Sequence, residues 1–498
     1  MDGSNRDISR AATVRERSGP SDDRFLTVAA LALLGAFLAV SLATAKFSPV
    51  VWTDEALFAD PAWHLATGQG FTSTMWPQPK GTFYAMNVPL YFFLLAGWIK
   101  LFGLSPLAVR SLNMVLVTLA AGLVWRAVRV GEIVRSPRLA LLMLAVLLCS
   151  AEITTIARNS RYDALCAFGC ALIFNGAISR SQYTRMIVAI LIGMMLPLAG
   201  LQTVFYCATL GGIVVIFWPR FLRFVLCLGA GIALGLSALI VLLRLNNALG
   251  RFLSVLRKVK VLHASPFSLR TPIDFAAAHP TLAIGVCILI VLSIAAWKRG
   301  ALRWRSPEVF GIVCAVVIPT VLMIFYHFRG EYGWMIAAPI LISIIASIER
   351  VPKAFAWRLA VAGLLAIALV GAPLILAGGF VRAEGRDYSR VERFVAHNLN
   401  ANDRVAIDPA AYYPARLLAT DCVSVYHLPS MTAEEKSAIT VLVAAPSNRS
   451  GFTEQLEGDW TEIASLPPIA PARLAWLRYP GDKDVYALTV YRRKLGPN

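Results

Sequence analysis

Asp54 and Glu55, adjacent in Trp52-Thr53-Asp54-Glu55, are the first residues of this chain that could do chemistry. They follow an apolar stretch, 25–45, long enough to cross a bilayer, which takes about 20 residues. At such a low-dielectric boundary desolvation disfavours a carboxylate anion, so its pKa rises and it can act as a general base. The pair also fits a plainer role, as a helix N-cap or a solvated loop acid, because Thr53-Asp54 opens the helical pattern EALFADPAWHLATG.

A second charged group is Arg158, Arg161 and Asp163 in ARNSRYDALCAF. Charges at the edge of a membrane span are costly and usually pair or face a cavity. Two arginines can grip a phosphate bidentately; equally, Asp163 can pair with Arg158 or Arg161 and merely fix two helix ends. Arg110 opens the next outer span end, where it either binds an anion or snorkels. Lys80 lies in the aromatic stretch MWPQPKGTFYAMN, and His327, Arg329, Glu331 and Tyr332 gather in YHFRGEYGW, 326–334, a cluster able to bind sugar or phosphate or equally an ordinary short polar turn. His64 reads as a packing histidine rather than a metal ligand. No Cys or His spacing fits zinc, no motif names a cofactor, and a divalent metal is left open.

The elements that must position these groups are membrane helices. Of 498 residues 57% are hydrophobic and 15% charged, and the mean hydropathy is +0.64. Soluble domains carry roughly 25% charged residues, so a single soluble core is excluded. The net charge of +18 reports orientation before it reports partners, and nucleic acid is not among the expected partners. The eight cysteines fall mostly in apolar stretches and imply no disulfide framework.

Eleven spans are expected: 25–45, 106–125, 139–156, 163–179, 186–200, 202–218, 222–243, 281–297, 308–326, 334–348 and 357–378. The first is too long for a signal-peptide core and reads as an uncleaved anchor. With the N-terminus inside, the segments 1–24, 126–138, 179–185, 218–224, 297–305 and 349–358 each hold two to five Lys or Arg on the inner side, as the positive-inside rule requires. Residues 89–102 are too short to span and read as an interfacial or re-entrant helix, so 46–105 forms one long outer loop. The outer loop 244–280 breaks the charge rule with Arg244, Arg251, Arg257, Lys258, Lys260 and Arg270, and its first half has the spacing of an amphipathic surface helix. It contacts lipid headgroups or recruits an anionic lipid. From about 380 the charges become frequent, and short strands at 403–407, 423–427, 440–444 and 485–491 alternate with helical patterns at 387–399 and 432–439. The expected organisation is a cytoplasmic tail at 1–24, a polytopic α-helical domain at 25–378 and an extracytoplasmic α/β domain at 379–498.

Taken together, these residues resemble the GT-C superfamily of lipid-carrier-dependent glycosyltransferases, in its bacterial branch of protein O-mannosyltransferases and aminoarabinose transferases. Asp54-Glu55 is similar to the family's acidic pair in the first outer loop. Asn87-Val88-Pro89-Leu90-Tyr91 resembles its Pro-Pro-Leu-Tyr segment, Phe102-Gly103-Leu104-Ser105 leading to Arg110-Ser111-Leu112 resembles its entry into the next span, and Arg161-Tyr162-Asp163-Ala164-Leu165 resembles its Arg-x-Asp-x-Leu pattern. The likeness is carried by residues 25–180. One departure matters: where the aminoarabinose transferase has a lysine for the carrier phosphate, this chain has Asn87, followed by Val88 in place of the first proline. Lys80 or the 244–280 loop would have to supply that charge.

The resemblance implies an inverting transfer of sugar from a polyprenyl-phosphate donor to an acceptor hydroxyl at the outer face of a bacterial inner membrane. The acceptor would be a lipid, a glycan or a protein, and membrane lipids would surround the enzyme. Asp54 would deprotonate the acceptor, and Glu55 would orient the loop or the acceptor. Arg110, Arg158, Arg161 and Arg329 would stabilise the leaving phosphate, with Asp163 positioning one of them. Lys80, Asn87, Tyr91 and Tyr332 complete the expected binding residues. Two other classes fit a polytopic chain with outer basic patches: a transporter or flippase of lipid-linked sugars, and a surface-polysaccharide assembly protein.

Overall fold

The computed structural model describes residues 20–262, 278–326, 330–350, 355–469 and 485–494. His327, Arg329 and the later half of the 244–280 loop lie outside the described residues. Eight helices are long and apolar enough to cross a membrane: Arg24–Ala43, Pro106–Val130, Gln182–Ala199, Pro219–Leu245, Pro280–Trp297, Pro307–Phe325, Glu331–Arg350 and Phe355–Val381. The expected span 139–156 is instead a pair, Pro137–Cys149 and Ala151–Arg158, bent by 54°. If the pair counts as one span there are nine. The remaining two of the eleven expected spans form helices Asp163–Ala177 and Gln202–Phe217, of 15 and 16 residues. They are shorter than the roughly 17 residues a perpendicular crossing takes.

Local chemistry sets the helix boundaries. Ser105, Ser136 and Ser181 each stand before a helix with an extended backbone and accept a hydrogen bond from a first-turn amide, and Pro106 and Pro137 occupy the first helical position. There the missing N–H costs nothing. At the 54° bend Ser150 is extended and its hydroxyl donates to the Leu147 carbonyl at 2.8 Å. The bend is packed by Gly371, where a Cβ would stand 1.9 Å from the Cys149 carbonyl oxygen. Helices Gln182–Ala199 and Leu222–Leu245 also meet backbone to backbone: Cβ atoms at Gly231 and Gly235 would lie 2.3 and 2.2 Å from the carbonyl oxygens of Ile190 and Met194. Small residues four apart allow this close approach in membranes, where apolar burial alone drives no helix pairing.

Between the first span and the helix Pro106–Val130 the loop holds two helices, Thr53–Ala66 and Leu90–Phe102. The second is 13 residues, about 20 Å long, too short to cross a hydrocarbon core of about 30 Å. It buries Tyr91, Phe92, Leu95 and Ile99 and exposes Phe93, Leu94, Leu101 and Phe102. Phe58, Phe71, Tyr84 and Phe92 knit the two loop helices into one aromatic cluster, with ring centroids 5.0 to 5.6 Å apart. Offset and edge-on aromatic pairs add to area burial.

The C-terminal part is a small α/β domain with five strands: β1 Arg404–Ile407, β2 Asp421–Ser424, β3 Val441–Ala444, β4 Trp460–Leu466 and β5 Leu488–Arg493. Their order is β2-β1-β3-β5-β4, parallel around β1 and antiparallel from β3 to β4. β3, Val-Leu-Val-Ala, is buried throughout, as a strand covered on both faces must be. The strand expected at 423–427 runs at 421–424, because its pairing with β1 ends at Ile407↔Ser424. β4 was not expected, since its exposed edge position leaves no regular apolar alternation. The free edge of β2 is covered by the loop between the first two spans: Ser424 N donates to Thr74 O at 3.2 Å, Thr74 Oγ1 to Cys422 O at 2.7 Å, and Ser424 Oγ to Met75 O at 2.5 Å. An uncovered edge would be a template for foreign strands.

Candidate active site

The helix Thr53–Ala66 carries Asp54 and Glu55 in its first turn, where the positive end of the helix dipole favours carboxylates. Neighbouring residues project about 100° apart around a helix, so the two acids face different partners. Glu55 points inward. Its two oxygens accept from Nε and Nη2 of Arg110 at 2.9 and 2.7 Å, and one also accepts from the Tyr413 hydroxyl at 3.0 Å. Both side chains of the Glu55–Arg110 pair are fully buried, and Arg110 also donates to the Ala45 carbonyl. Asp54 points the other way. Its Oδ2 accepts from Arg161 Nη1 at 2.9 Å, and its side chain keeps 20% of its exposure. Among the described residues Asp54 Oδ1 has no hydrogen-bond donor.

Arg161 is the hub of this half. Besides Asp54 it lies 3.1 Å from Asp163 and 3.5 Å from Glu331. Its guanidinium also sits 5.8 to 5.9 Å from the ring centres of Trp52, Phe58 and Tyr162. One cation thus faces three carboxylates inside an aromatic wall. Asp163 is buried and accepts from Trp334 Nε1 at 3.3 Å, whereas Asp54 and Glu331 each keep about a fifth of their exposure. Tyr332 is buried and hydrogen-bonded to Tyr162 and Tyr326 at the rim of the same cluster. Among the described residues no group of three or more His, Cys, Asp or Glu side chains is arranged to hold a metal ion.

Arg158 differs from both other arginines. It is 2% exposed, and its partners are neutral: the Ser48 carbonyl at 2.8 Å and Thr44 Oγ1 at 2.5 Å. Its Nε has no hydrogen-bond partner. A buried cation without a carboxylate is expensive, which makes Arg158 the described cation best placed to gain from an incoming anion. The remaining expected site residues are placed as follows. Tyr91 donates to Asn113 Oδ1 at 3.0 Å and meets Ser160 Oγ at 3.1 Å. Asn87 Oδ1 accepts from the Val88 amide at 2.8 Å. Lys80 reaches away from this group to Asp421 of β2 at 2.5 Å.

Sequence reasoning missed a second constellation on the same helix. Asp60 is fully buried and accepts from Ser73 Oγ (2.7 Å), the Thr74 amide (2.8 Å), the Tyr412 hydroxyl (3.3 Å) and Arg416 Nε (3.1 Å) and Nη2 (2.5 Å). Burial alone would raise its pKa, but the Arg416 charge beside it, with His64 and the two donors from 73 and 74, brings it down to about 2. His64, one turn on, is held below its ordinary range by burial, against the pull of Asp60. It is therefore neutral near pH 7, with Nδ1–H donating to Thr72 Oγ1 at 2.7 Å and Nε2 accepting from Arg416. The local signal was an acid and a histidine at i and i+4; the partner lies about 350 residues away.

No protein-family profile matches the chain, and no curated protein matches it. Solved structures do. The crystal structure of ArnT from Cupriavidus metallidurans bound to undecaprenyl phosphate is 12% identical, covers 94% of this chain and 98% of its own, and superposes with a TM-score of 0.55. The apo structure of the same protein gives 12% identity, 94% and 99% coverage, and a TM-score of 0.56. The chain has the GT-C fold. The mycobacterial arabinofuranosyltransferase AftD is 16% identical over 95% of this chain but only 40% of its own, with a TM-score of 0.48. The GT-C expectation drawn from residues 25–180 thus holds for the fold of nearly the whole chain, spans and α/β domain together.

Proposed function

We propose that this protein is an inverting glycosyltransferase that moves a sugar from a polyprenyl-phosphate carrier to an acceptor hydroxyl at the outer face of the membrane. The observation that carries this reading is the asymmetry of the acidic pair. Glu55 is locked to Arg110, while Asp54 is anchored through one oxygen and open at the other. A general base needs that geometry: one atom fixed for aim, one free for the proton.

In the proposed reaction Asp54 Oδ1 takes the acceptor's proton, the acceptor oxygen forms a bond to the anomeric carbon, and the bond to the carrier phosphate breaks with inversion. The leaving phosphate collects charge that a preorganised cation can stabilise, and Arg158 is the described candidate. Arg161 and Asp163 aim Asp54 through the 2.9 and 3.1 Å contacts. Arg110 and Glu55 hold the loop helix to the bundle and to Tyr413 of the C-terminal domain, so their role is positioning. The bound undecaprenyl phosphate in the ArnT structure supports the carrier class. The test is transfer of labelled sugar from a panel of polyprenyl-phosphate donors by the purified protein, with Asp54→Asn and Arg158→Gln alongside. Transfer lost in Asp54→Asn and weakened in Arg158→Gln supports the reading. Wild-type turnover in Asp54→Asn overturns it.

A further inference from the structure

A cavity of about 840 Å³ runs between the membrane helices from the site just described toward their opposite ends. Its upper wall includes Trp334, which donates to Asp163. Its other end is formed by Val130, Glu132, Ile178, Arg185, Arg220, Arg305 and Arg350, at the far ends of five segments. Helix Pro106–Val130 gives the scale: from Arg110, which touches Glu55, to Val130 is about 30 Å at 1.5 Å per residue. The wall between the two ends is almost wholly apolar.

Four arginines and one glutamate are the charged residues lining this cavity. Among the described residues none of the four arginines forms an ion pair with a carboxylate, and Arg185 Nε is buried without a hydrogen-bond partner. The cavity opens at its arginine end, and its lining is mostly apolar, so a hydrocarbon chain entering it gains dispersion contacts along the wall. The volume lies within the roughly 300–1,000 Å³ of ordinary ligand pockets. Arg220, Arg305 and Arg350 are exposed at the mouth, Arg220 lying 5.2 Å from the Phe221 ring centre, and Arg185 is half-buried beside them; an apolar shaft with this basic mouth matches a hydrocarbon chain with an anionic head. Basic pockets between membrane helices bind anionic lipid headgroups in this way.

We propose that this cavity is a binding site for an anionic glycerophospholipid, with its phosphate among Arg185, Arg220, Arg305 and Arg350 and an acyl chain reaching toward Trp334. The sugar carrier is not the occupant, because its phosphate has to lie beside Asp54, at the opposite end of the bundle. The lipid fills the bundle behind Trp334 and so supports the residue that holds Asp163.

The test is native mass spectrometry and thermal unfolding of the purified full chain titrated with phosphatidylglycerol, phosphatidylcholine and undecaprenyl phosphate; neither readout depends on catalysis. Phosphatidylglycerol is expected to bind and raise Tm where phosphatidylcholine does not. The triple variant Arg185→Gln, Arg220→Gln, Arg305→Gln is expected to weaken that binding at least tenfold. Ala338→Trp, which fills the shaft and keeps every arginine, should abolish it and serves if the triple variant fails to fold. Equal binding of the two phospholipids, undiminished binding in either variant, or displacement of phosphatidylglycerol by an equal concentration of undecaprenyl phosphate would overturn the proposal.

Discussion

Two arginine–carboxylate centres sit on one turn of one helix, and they are built oppositely. At Glu55–Arg110 both groups are fully buried, the carboxylate is doubly engaged by one cation, and a tyrosine from the C-terminal domain closes the remaining approach. At Asp54–Arg161 one cation is shared among three carboxylates, and one oxygen of Asp54 is open. Adjacent acids with equal intrinsic chemistry therefore divide the labour. Saturated partners and no solvent make a fastener. A single anchor with residual access leaves a group that can still accept a proton.

The Glu55–Arg110 fastener is the more sensitive of the two centres to substitution. Arg110→Met leaves Glu55 charged and buried, and removing one member of such a pair costs about 3–5 kcal/mol. Thermal unfolding should show a large loss of Tm, and Arg110→Met combined with Glu55→Met should recover much of it, because an apolar pair can replace a buried ionic one. Next in size is Asp54→Asn. It should lower transfer by about 10²–10³, roughly 3–4 kcal/mol of barrier, while leaving Tm near wild type, since only one surface-edge ion pair is lost. Equal losses of Tm in Asp54→Asn and Arg110→Met would erase the distinction.

A third effect is acid sensitivity at the other end of the same helix. Asp60 falls from its ordinary value near 3.8 to about 2 in the fold. Its stabilisation, about 2 kcal/mol, is therefore present above about pH 4 and lost as pH falls through 2. His64 is also held below its ordinary value of 6.5, so its stabilisation is complete above that value and declines as pH falls through the lowered one. Both signs agree: acid loosens the tie between the loop and Arg416. Protection factors of the amides at 412–424, corrected for the intrinsic exchange rate at each pH, should fall on acidification from pH 7, while those of the helix Pro106–Val130 change less. His64→Gln should flatten the upper part of that profile. A further effect belongs to Tyr413→Phe, which removes one hydrogen bond to a charged group, worth about 1.5–3 kcal/mol. It should lower Tm modestly and leave the donor Km unchanged if Glu55 is only a fastener.

What the sequence could show followed local rules. The short helix at 90–102 was visible in its length, the loop helix in its Thr-Asp start, and the pairing of Asp163 with a nearby arginine in their shared place at a span edge, although not whether Arg158 or Arg161 is the partner. The α/β character of the tail was visible in short apolar runs such as Val-Leu-Val-Ala. The bend at Ser150 was not, because Gly371, which permits it, is more than 200 residues away. The hub around Arg416 was equally hidden, since an arginine in a polar domain carries no mark of its long-range partner. Lys80 looked like a replacement for the missing carrier lysine, but the covered edge of β2 draws it to Asp421.

The most direct test of the account measures sugar transfer by the purified protein from labelled polyprenyl-phosphate donors, comparing wild type, Asp54→Asn and Arg158→Gln at matched folding. Label is expected to reach an acceptor or water with wild type, with a loss of about 10²–10³ in Asp54→Asn and a partial loss in Arg158→Gln. Undiminished transfer by Asp54→Asn, or no transfer from any donor by a folded wild type that binds the carrier, would contradict it.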